Sequence, residues 1–177
     1  MGLLLSGRRH AYRAGAARHA RGARDPDQPR VTGLTITALE PAELAGLAGL
    51  AWFLDAASLP SADLADPGRL FFRFEADSLV GYGGLEGEGA DRLLRSIVIL
   101  ADRRGHGLGR ALVATLEQQA RTLGVRRLHL LTTTAVPFFR ALGYADADRG
   151  AAPAAVAASR EFTALCPASA VYLVKAL

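Results

Sequence analysis

Arg104-Gly105-His106-Gly107-Leu108-Gly109-Arg110 places glycine at every second position between two arginines, directly ahead of a long amphipathic stretch. Glycine tolerates positive φ and lets another molecule approach the backbone. The first N–H groups of the following helix have no intrahelical acceptor and sit at the positive end of its dipole. With Arg104 and Arg110 beside them, such groups suit an anion, and a diphosphate above all. A dinucleotide-binding turn would need glycine at position 110 or 112 and an early strand–helix–strand unit. Neither occurs here, and the Lys-Ser/Thr pair of a phosphate-binding P-loop is missing too.

The elements around the turn must hold it. Residues 91–99 (DRLLRSIVI) read as an apolar strand, and residues 107–123 as a helix with Leu108, Leu112, Leu116, Ala120 and Leu123 on its buried stripe. Gly124 caps that helix. Residues 127–131 (RLHLL) read as a buried strand, so the unit is a right-handed parallel crossover. Strict alternation in residues 91–99 would turn Leu94, Ser96 and Val98 to one face and Leu93, Arg95, Ile97 and Ile99 to the other. Downstream, the pattern predicts a short helix over 136–142 closed by Gly143, a strand starting at Tyr144, a helical piece from Pro153 to about 160, and a final strand over 170–175.

Upstream, residues 34–38 alternate as a first strand, and Pro41 opens a helix with Glu43 at its positive end. Leu44, Leu47, Leu50 and Ala51 form its apolar stripe, running on to Trp52 and Leu54. Residues 59–67, with Pro60 and Pro67, are a loop: a connector, or a lid over a bound molecule. Residues 69–75 and 79–86 pair as a hairpin around 76–78. Gly81, Gly83 and Gly84 weaken the second strand unless a bulge or a close neighbour requires them.

Composition bounds the rest. Half of the 177 residues are hydrophobic, enough for a core, yet no apolar run nears the ~20 residues of a membrane span. Residues 3–5 are too short for a secretion signal. One cysteine, Cys166, excludes an internal disulfide and a multi-cysteine zinc site, so a reducing cytoplasmic setting is expected and no metal. The net charge of +4 is concentrated in residues 1–30, where seven arginines against Asp25 and Asp27 give +5 and leave the remainder near −1. That segment reads as a disordered extension, with residues 31–177 as the domain, and neither nucleic acid nor membrane is an expected partner.

Arg104-Gly105-His106-Gly107-Leu108-Gly109 resembles the R/Q-x-x-G-x-G motif of the GNAT superfamily of N-acetyltransferases, and Phe138 to Tyr144 (FFRALGY) resembles its later F-Y-x-x-x-G-F signature. The likeness in element order runs from about residue 34 to the C-terminus. It implies an α/β fold: a mixed, mainly antiparallel sheet with helices on both faces and a V-shaped opening for acetyl-CoA. It also implies that Ile97, Val98 and Ile99 offer main-chain groups to the pantetheine arm and thioester. Arg104, Gly105, His106, Gly107, Leu108, Gly109 and Arg110 would surround the pyrophosphate, with Thr132 and Phe139 completing the cofactor site. The superfamily often carries a tyrosine that protonates the departing thiolate, and Phe139 stands at that position. Residues 130–144 together with 151–177 are similar to N-acetyltransferases encoded in arsenic-resistance operons, while the T-T-x-T stretch also resembles N-acetylglutamate synthase domains.

The implied reaction moves acetyl to a primary amine of a small molecule, in arsenic or toxic-amine resistance; glutamate acetylation and a non-catalytic CoA-binding sensor stay open beside it. Transfer needs a neutral amine, a polarised carbonyl and a protonated leaving thiolate. Glu86 is the candidate base, Ser96 a cleft hydroxyl, and Cys166 a candidate proton donor. Arg95 and Arg160 are candidates to grip an acidic acceptor through paired N–H donors. His129, alternating within an apolar strand, reads as structural. The chain is expected as a monomer or homodimer.

Overall fold

The computed structural model describes residues 34–39 and 44–177. Seven strands form one sheet: β1 (Thr35–Leu39), β2 (Arg69–Glu75), β3 (Leu79–Glu86), β4 (Asp91–Ile99), β5 (Arg127–Thr132), β6 (Ala145–Asp146) and β7 (Val171–Ala176). Their order is β1-β2-β3-β4-β5-β7-β6, and every neighbouring pair is antiparallel except β4 with β5. The helices are α1 (Leu44–Ala56), α2 (Leu108–Thr122), α3 (Val136–Arg140) and α4 (Ala154–Ala157), with a one-turn π-helix at Glu161–Leu165. The expected extension over residues 1–30, and Pro41 and Glu43, lie outside the described residues, as do the side chains of Leu44 and Leu47.

Alternation along the strands sorts the apolar side chains into two layers. Leu112, Val113, Leu116 and Ala120 of α2, with Phe139 of α3, pack on Phe72, Phe74, Val80, Leu85, Leu94, Leu128 and Leu130. On the opposite face Leu50 and Leu54 of α1 meet Phe71, Tyr82 and Val98. Nearby, Val156 of α4 and Phe162 of the π-helix cover Leu93 and Tyr172. Two members of the expected stripes fall outside the core: Trp52 is 65% exposed and Leu123 37%. Leu123 has passed the end of α2, where the backbone turns away through Gly124 at φ +77°.

The decisive irregularity is in β4. Tyr82 pairs with Val98, but Gly84 pairs with Arg95, so β4 carries one extra residue there. Ser96 takes a φ of +55°, the left-handed conformation that one class of bulge adopts. The bulge shifts the phase of the strand and corrects the simple alternation. Leu94, Ile97 and Ile99 face α2, whereas Leu93, Arg95 and Val98 share the face of α1 and α4. Gly83 lies opposite this bulge, and a Cβ there would sit 2.6 Å from Leu116 Cδ1. Gly81 has no room either, because Val98 O blocks the space a Cβ would take.

β4 and β5 pair only at Asp91–Arg127, Arg92–Leu128 and Leu93–His129. Beyond Leu93 the two strands have no ladder between them, and the sheet opens as a V. At its base the buried His129 ring lies between Tyr172 Oη, 2.6 Å from Nδ1, and Asp91 Oδ1, 2.9 Å from Nε2. Asp91 also accepts from Arg127 at 2.6 and 3.1 Å. His129 is thus buried with both ring nitrogens partnered, and it does not line the opening of the V.

Candidate active site

A cavity of about 1140 Å³ runs through the opening of the V. On the α2 side its wall holds Gly105, Gly107, Gly109 and Phe138; on the other side it holds Ala57–Pro60, Arg95, Glu161 and Cys166. The edge of β4 from Leu94 to Ile99 lies between these two ends.

At the first end the glycine turn has the backbone conformation its composition suggested. Gly105 and Gly107 have φ of +82° and +74°, a region costly for residues with a Cβ. Gly107 is the N-cap of α2 and brings no capping side chain. The first helical bond runs from Ala111 N to Gly107 O at 3.1 Å. The N–H groups of Leu108, Gly109 and Arg110 consequently have no backbone or side-chain acceptor among the described residues. Gly109 lines the cavity, and a Cβ there would meet nothing closer than 3.6 Å, so packing alone does not demand glycine. Arg104 Nε donates to Ile99 O at 3.0 Å, and Arg110 Nη1 reaches Ala141 O at 3.4 Å, anchoring both guanidinium groups beside the turn. A bare amide cradle flanked by two arginines fits a diphosphate.

Of the residues assigned to that cofactor site, Ile97, Val98, Ile99, Arg104, Gly105, Gly107, Gly109, Arg110, Thr132 and Phe139 line the cavity. His106 is exposed and Leu108 packs toward the core, and neither side chain lines it. The Thr132 hydroxyl accepts from Ala135 N at 3.1 Å, so its side chain serves the start of α3. Phe139 stacks edge-on against Tyr144, whose phenol is buried. Burial and the neighbouring Glu117 carboxylate push that phenol far above its ordinary range. Neither Tyr144 nor Tyr172 lines the cavity, so neither stands in for the missing proton donor.

The second end is a buried ion network that the sequence reading did not foresee. Arg95, 3% exposed, grips Asp63 through two bonds of 2.7 and 2.8 Å. It also bonds Glu86 and lies 2.9 Å from Glu161 Oε2. Arg69 adds contacts to Asp63 at 2.9 Å, Glu86 at 3.4 Å and Asp66 at 3.5 Å. Burial alone would raise the Asp63 carboxyl, but the Arg95 and Arg69 donors outweigh it and hold it below its ordinary value. The balance reverses at Glu161, where burial, helped by Asp63 and Glu86, exceeds the pull of Arg95 and raises the carboxyl. Oxygens of Asp63, Glu86 and Glu161 come within 4.8 Å of one another. The Arg95 guanidinium contacts all three, taking the position a cation would hold.

This network corrects three assignments. Glu86 is tied to Arg95 and Arg69 and does not line the cavity, so it cannot reach an acceptor as a base. Arg95 lines the cavity, yet both of its Nη atoms are spent on carboxylates, which leaves little to grip an acidic acceptor. Arg160 is half exposed, pairs with Asp66 at 3.0 Å and does not line the cavity. Ser96 and Cys166 do line it. Burial, then the Glu161 carboxylate 3.6 Å away, pushes the Cys166 thiol up to about 12. Such a thiol is a poor donor to a thiolate whose ordinary pKa is about 8.5.

Asp63 and Glu161 are the two members of this cluster that the sequence did not point to. Asp63 sits in the loop after α1, and its only signal was acid between two prolines. Glu161 and Cys166 are five apart, a spacing that neither an α-helix nor a strand stacks. The π-turn brings them together, closed by Cys166 N donating to Glu161 O at 3.0 Å.

The splayed parallel pair, with a glycine-capped helix at its mouth, belongs to a mixed α/β fold built around one open sheet. The chain belongs to the acetyltransferase (GNAT) family, whose profile matches residues 43–144. It is 44% identical over 52 residues to N-alpha-acetyltransferase 80 of Mus musculus, a stretch covering 29% of this chain and 17% of that protein. The fold resembles N-acetylglutamate synthase of Neisseria gonorrhoeae, solved with coenzyme A and L-arginine, at a TM-score of 0.62 and 20% identity. That likeness covers 82% of this chain and 33% of the synthase. An acetyltransferase of Streptococcus agalactiae matches equally well, with a TM-score of 0.62, 20% identity, and coverage of 82% of this chain and 99% of its own.

Proposed function

We propose that the chain transfers acetyl from acetyl-CoA to a primary amine of a small molecule. The observation that carries this reading is a single cavity joining an amide cradle for a diphosphate to a buried acid–base cluster, past an unpaired strand edge. Acetyl-CoA supplies an activated thioester. The N–H groups of Leu108, Gly109 and Arg110, with Arg104 and Arg110 alongside, hold its pyrophosphate. The main chain of Ile97, Val98 and Ile99 lies along the pantetheine arm, and an N–H of this edge polarises the thioester carbonyl. The bulge at Ser96 turns the edge from the α2 side toward Arg95 and Glu161, so the carbonyl faces the far end of the cavity. The loop through Ala57–Pro60 borders that end and limits the entry of water and acceptor.

Residues 31–177 form the catalytic domain in this reading, and residues 1–30 are dispensable to it. Similarity of 130–144 and 151–177 to the arsenic-resistance-operon enzymes supports a detoxifying setting, in which the acceptor is a toxic amine. The test is thiol release from acetyl-CoA across a panel of amines, alongside calorimetric binding of acetyl-CoA. Acceptor-dependent thiol is the expected result. Tight acetyl-CoA binding without it, for any amine, would favour a sensor and overturn the catalytic reading.

A further inference from the structure

We infer that the acceptor is a cationic amine carrying no acidic group, and that Glu161 receives its ammonium and removes its proton. This rests on the acetyltransferase reading and names the substrate class of that site. Three carboxylates, Asp63, Glu86 and Glu161, face two guanidinium groups, Arg95 and Arg69, so the cluster is one positive charge short. Asp63 accepts from both arginines and Glu86 contacts both, which leaves the deficit at Glu161. Of the three carboxylates only Glu161 lines the cavity. Its side chain is 10% exposed, and Oε2 lacks a hydrogen-bond partner although Arg95 Nη2 is 2.9 Å away. Its other oxygen accepts only the weak Cys166 thiol. With one off-axis ion-pair contact and one weak thiol donor, the buried Glu161 carboxylate is short of donors, and an ammonium on the cavity side of Glu161 supplies one together with the missing charge.

The same wall discriminates against acids. The basic side chains lining the cavity are Arg95, Arg104 and Arg110 among the described residues. The last two flank the glycine turn, and both Nη atoms of Arg95 are engaged by carboxylates. A carboxylate or oxyanion on the acceptor would meet Glu161 without a cation to balance it, and like charges at this separation repel by several kcal/mol across an interface. Glutamate and oxyanionic arsenicals are therefore poor acceptors.

Proton and bond changes balance without another reagent. Glu161 takes one proton from the ammonium, and the freed lone pair forms the C–N bond as the C–S bond breaks. The second proton shed by nitrogen passes through water to the departing thiolate, and Glu161 returns its own to solvent.

Matched pairs test this: 1,4-diaminobutane against ornithine, agmatine against arginine, tyramine against tyrosine, with thiol release from acetyl-CoA measured for the full chain. Each amine is expected to exceed its amino acid by about tenfold or more in kcat/KM. Equal or better turnover of the amino acids, or no turnover of any of the amines, overturns the inference. Loss of acetyl-CoA binding itself would overturn the acetyltransferase reading as well, so the two failures differ. In Glu161→Gln, kcat should fall by about 100-fold or more, as for loss of a general base, with acetyl-CoA affinity unchanged by calorimetry. The same variant should weaken 1,4-diaminobutane binding to the CoA-saturated protein about tenfold and flatten the acid limb of the pH–rate profile. Arg95, Asp63, Glu86 and Cys166 are the charged and titratable groups packed around Glu161, and only its own carboxyl is altered in this variant. Wild-type kcat and an unchanged profile in the variant would rule out the role of Glu161.

Discussion

The two ends of the cavity are made of different material. The end at α2 is local and backbone-built: seven consecutive residues, two glycines at positive φ, and three free N–H groups. The end at Arg95 is assembled from side chains on five separate segments, namely the loop after α1, β2, β3, β4 and the π-turn. A backbone cradle recognises what is common to one ligand and tolerates little change in the chain. A side-chain network can be rewritten one residue at a time. One protein can thereby keep its donor while its acceptor varies.

The largest expected effect lies at the side-chain end. Arg95→Met leaves three carboxylates buried without their central partner, and should cost about 3–5 kcal/mol in urea unfolding. A loss below about 1 kcal/mol would mean that the network is solvated in solution. At the backbone end, Gly107→Glu should lower acetyl-CoA affinity by about 100-fold, or about 2.7 kcal/mol, while circular dichroism stays native apart from the cost of about 1–2 kcal/mol for a side chain at φ +74°. Retained affinity would show that the cradle is elsewhere.

Acid titration sharpens the contrast within the network. Asp63 has a folded-state pKa below its ordinary 3.8, so it contributes stability above that value and loses it as pH falls through the lower one. Glu161 has a folded-state pKa above its ordinary 4.5, so its contribution is present below 4.5 and fades as pH rises through the raised value. Asp63→Asn should flatten the first limb of stability against pH, and Glu161→Gln the second. The smallest effect is expected from Arg160→Ala. This half-exposed arginine pairs with Asp66, and its loss should change stability by no more than about 1 kcal/mol and leave kcat unchanged. A large loss of activity there would return Arg160 to the acceptor site.

The same contrast explains what was legible in the sequence. The glycine turn, α2 and the parallel crossover could be read because each depends on neighbours in the chain: spacing of leucines, a capping glycine, an apolar strand. The segment matched by the family model, residues 43–144, contains all of that stretch. The phase of β4 could not be read, because the extra residue at Ser96 leaves no mark in an apolar run and shows itself only against Gly83 of the partner strand. Nor could the Asp63–Arg95 pair, 32 residues apart. Glu86 looked like a free turn carboxylate from its local sequence, and only the tertiary fold brings Arg69 and Arg95 onto it. Cys166 and Glu161 needed a π-turn, which single-sequence periodicity does not anticipate.

The opening between β4 and β5 gives the sheet two more edges, in its middle. Past Leu93 each of these strands presents main-chain donors and acceptors to the gap rather than to a neighbour. Exposed strand edges invite pairing with foreign chains, and the bulge at Ser96 with the splay above it keeps this one from offering a straight, regular ladder. A ligand lying in the gap acts as a surrogate strand. It should slow amide hydrogen exchange across residues 94–99 and 130–132, raise the melting temperature through its preference for the folded state, and protect the protein from aggregation during purification.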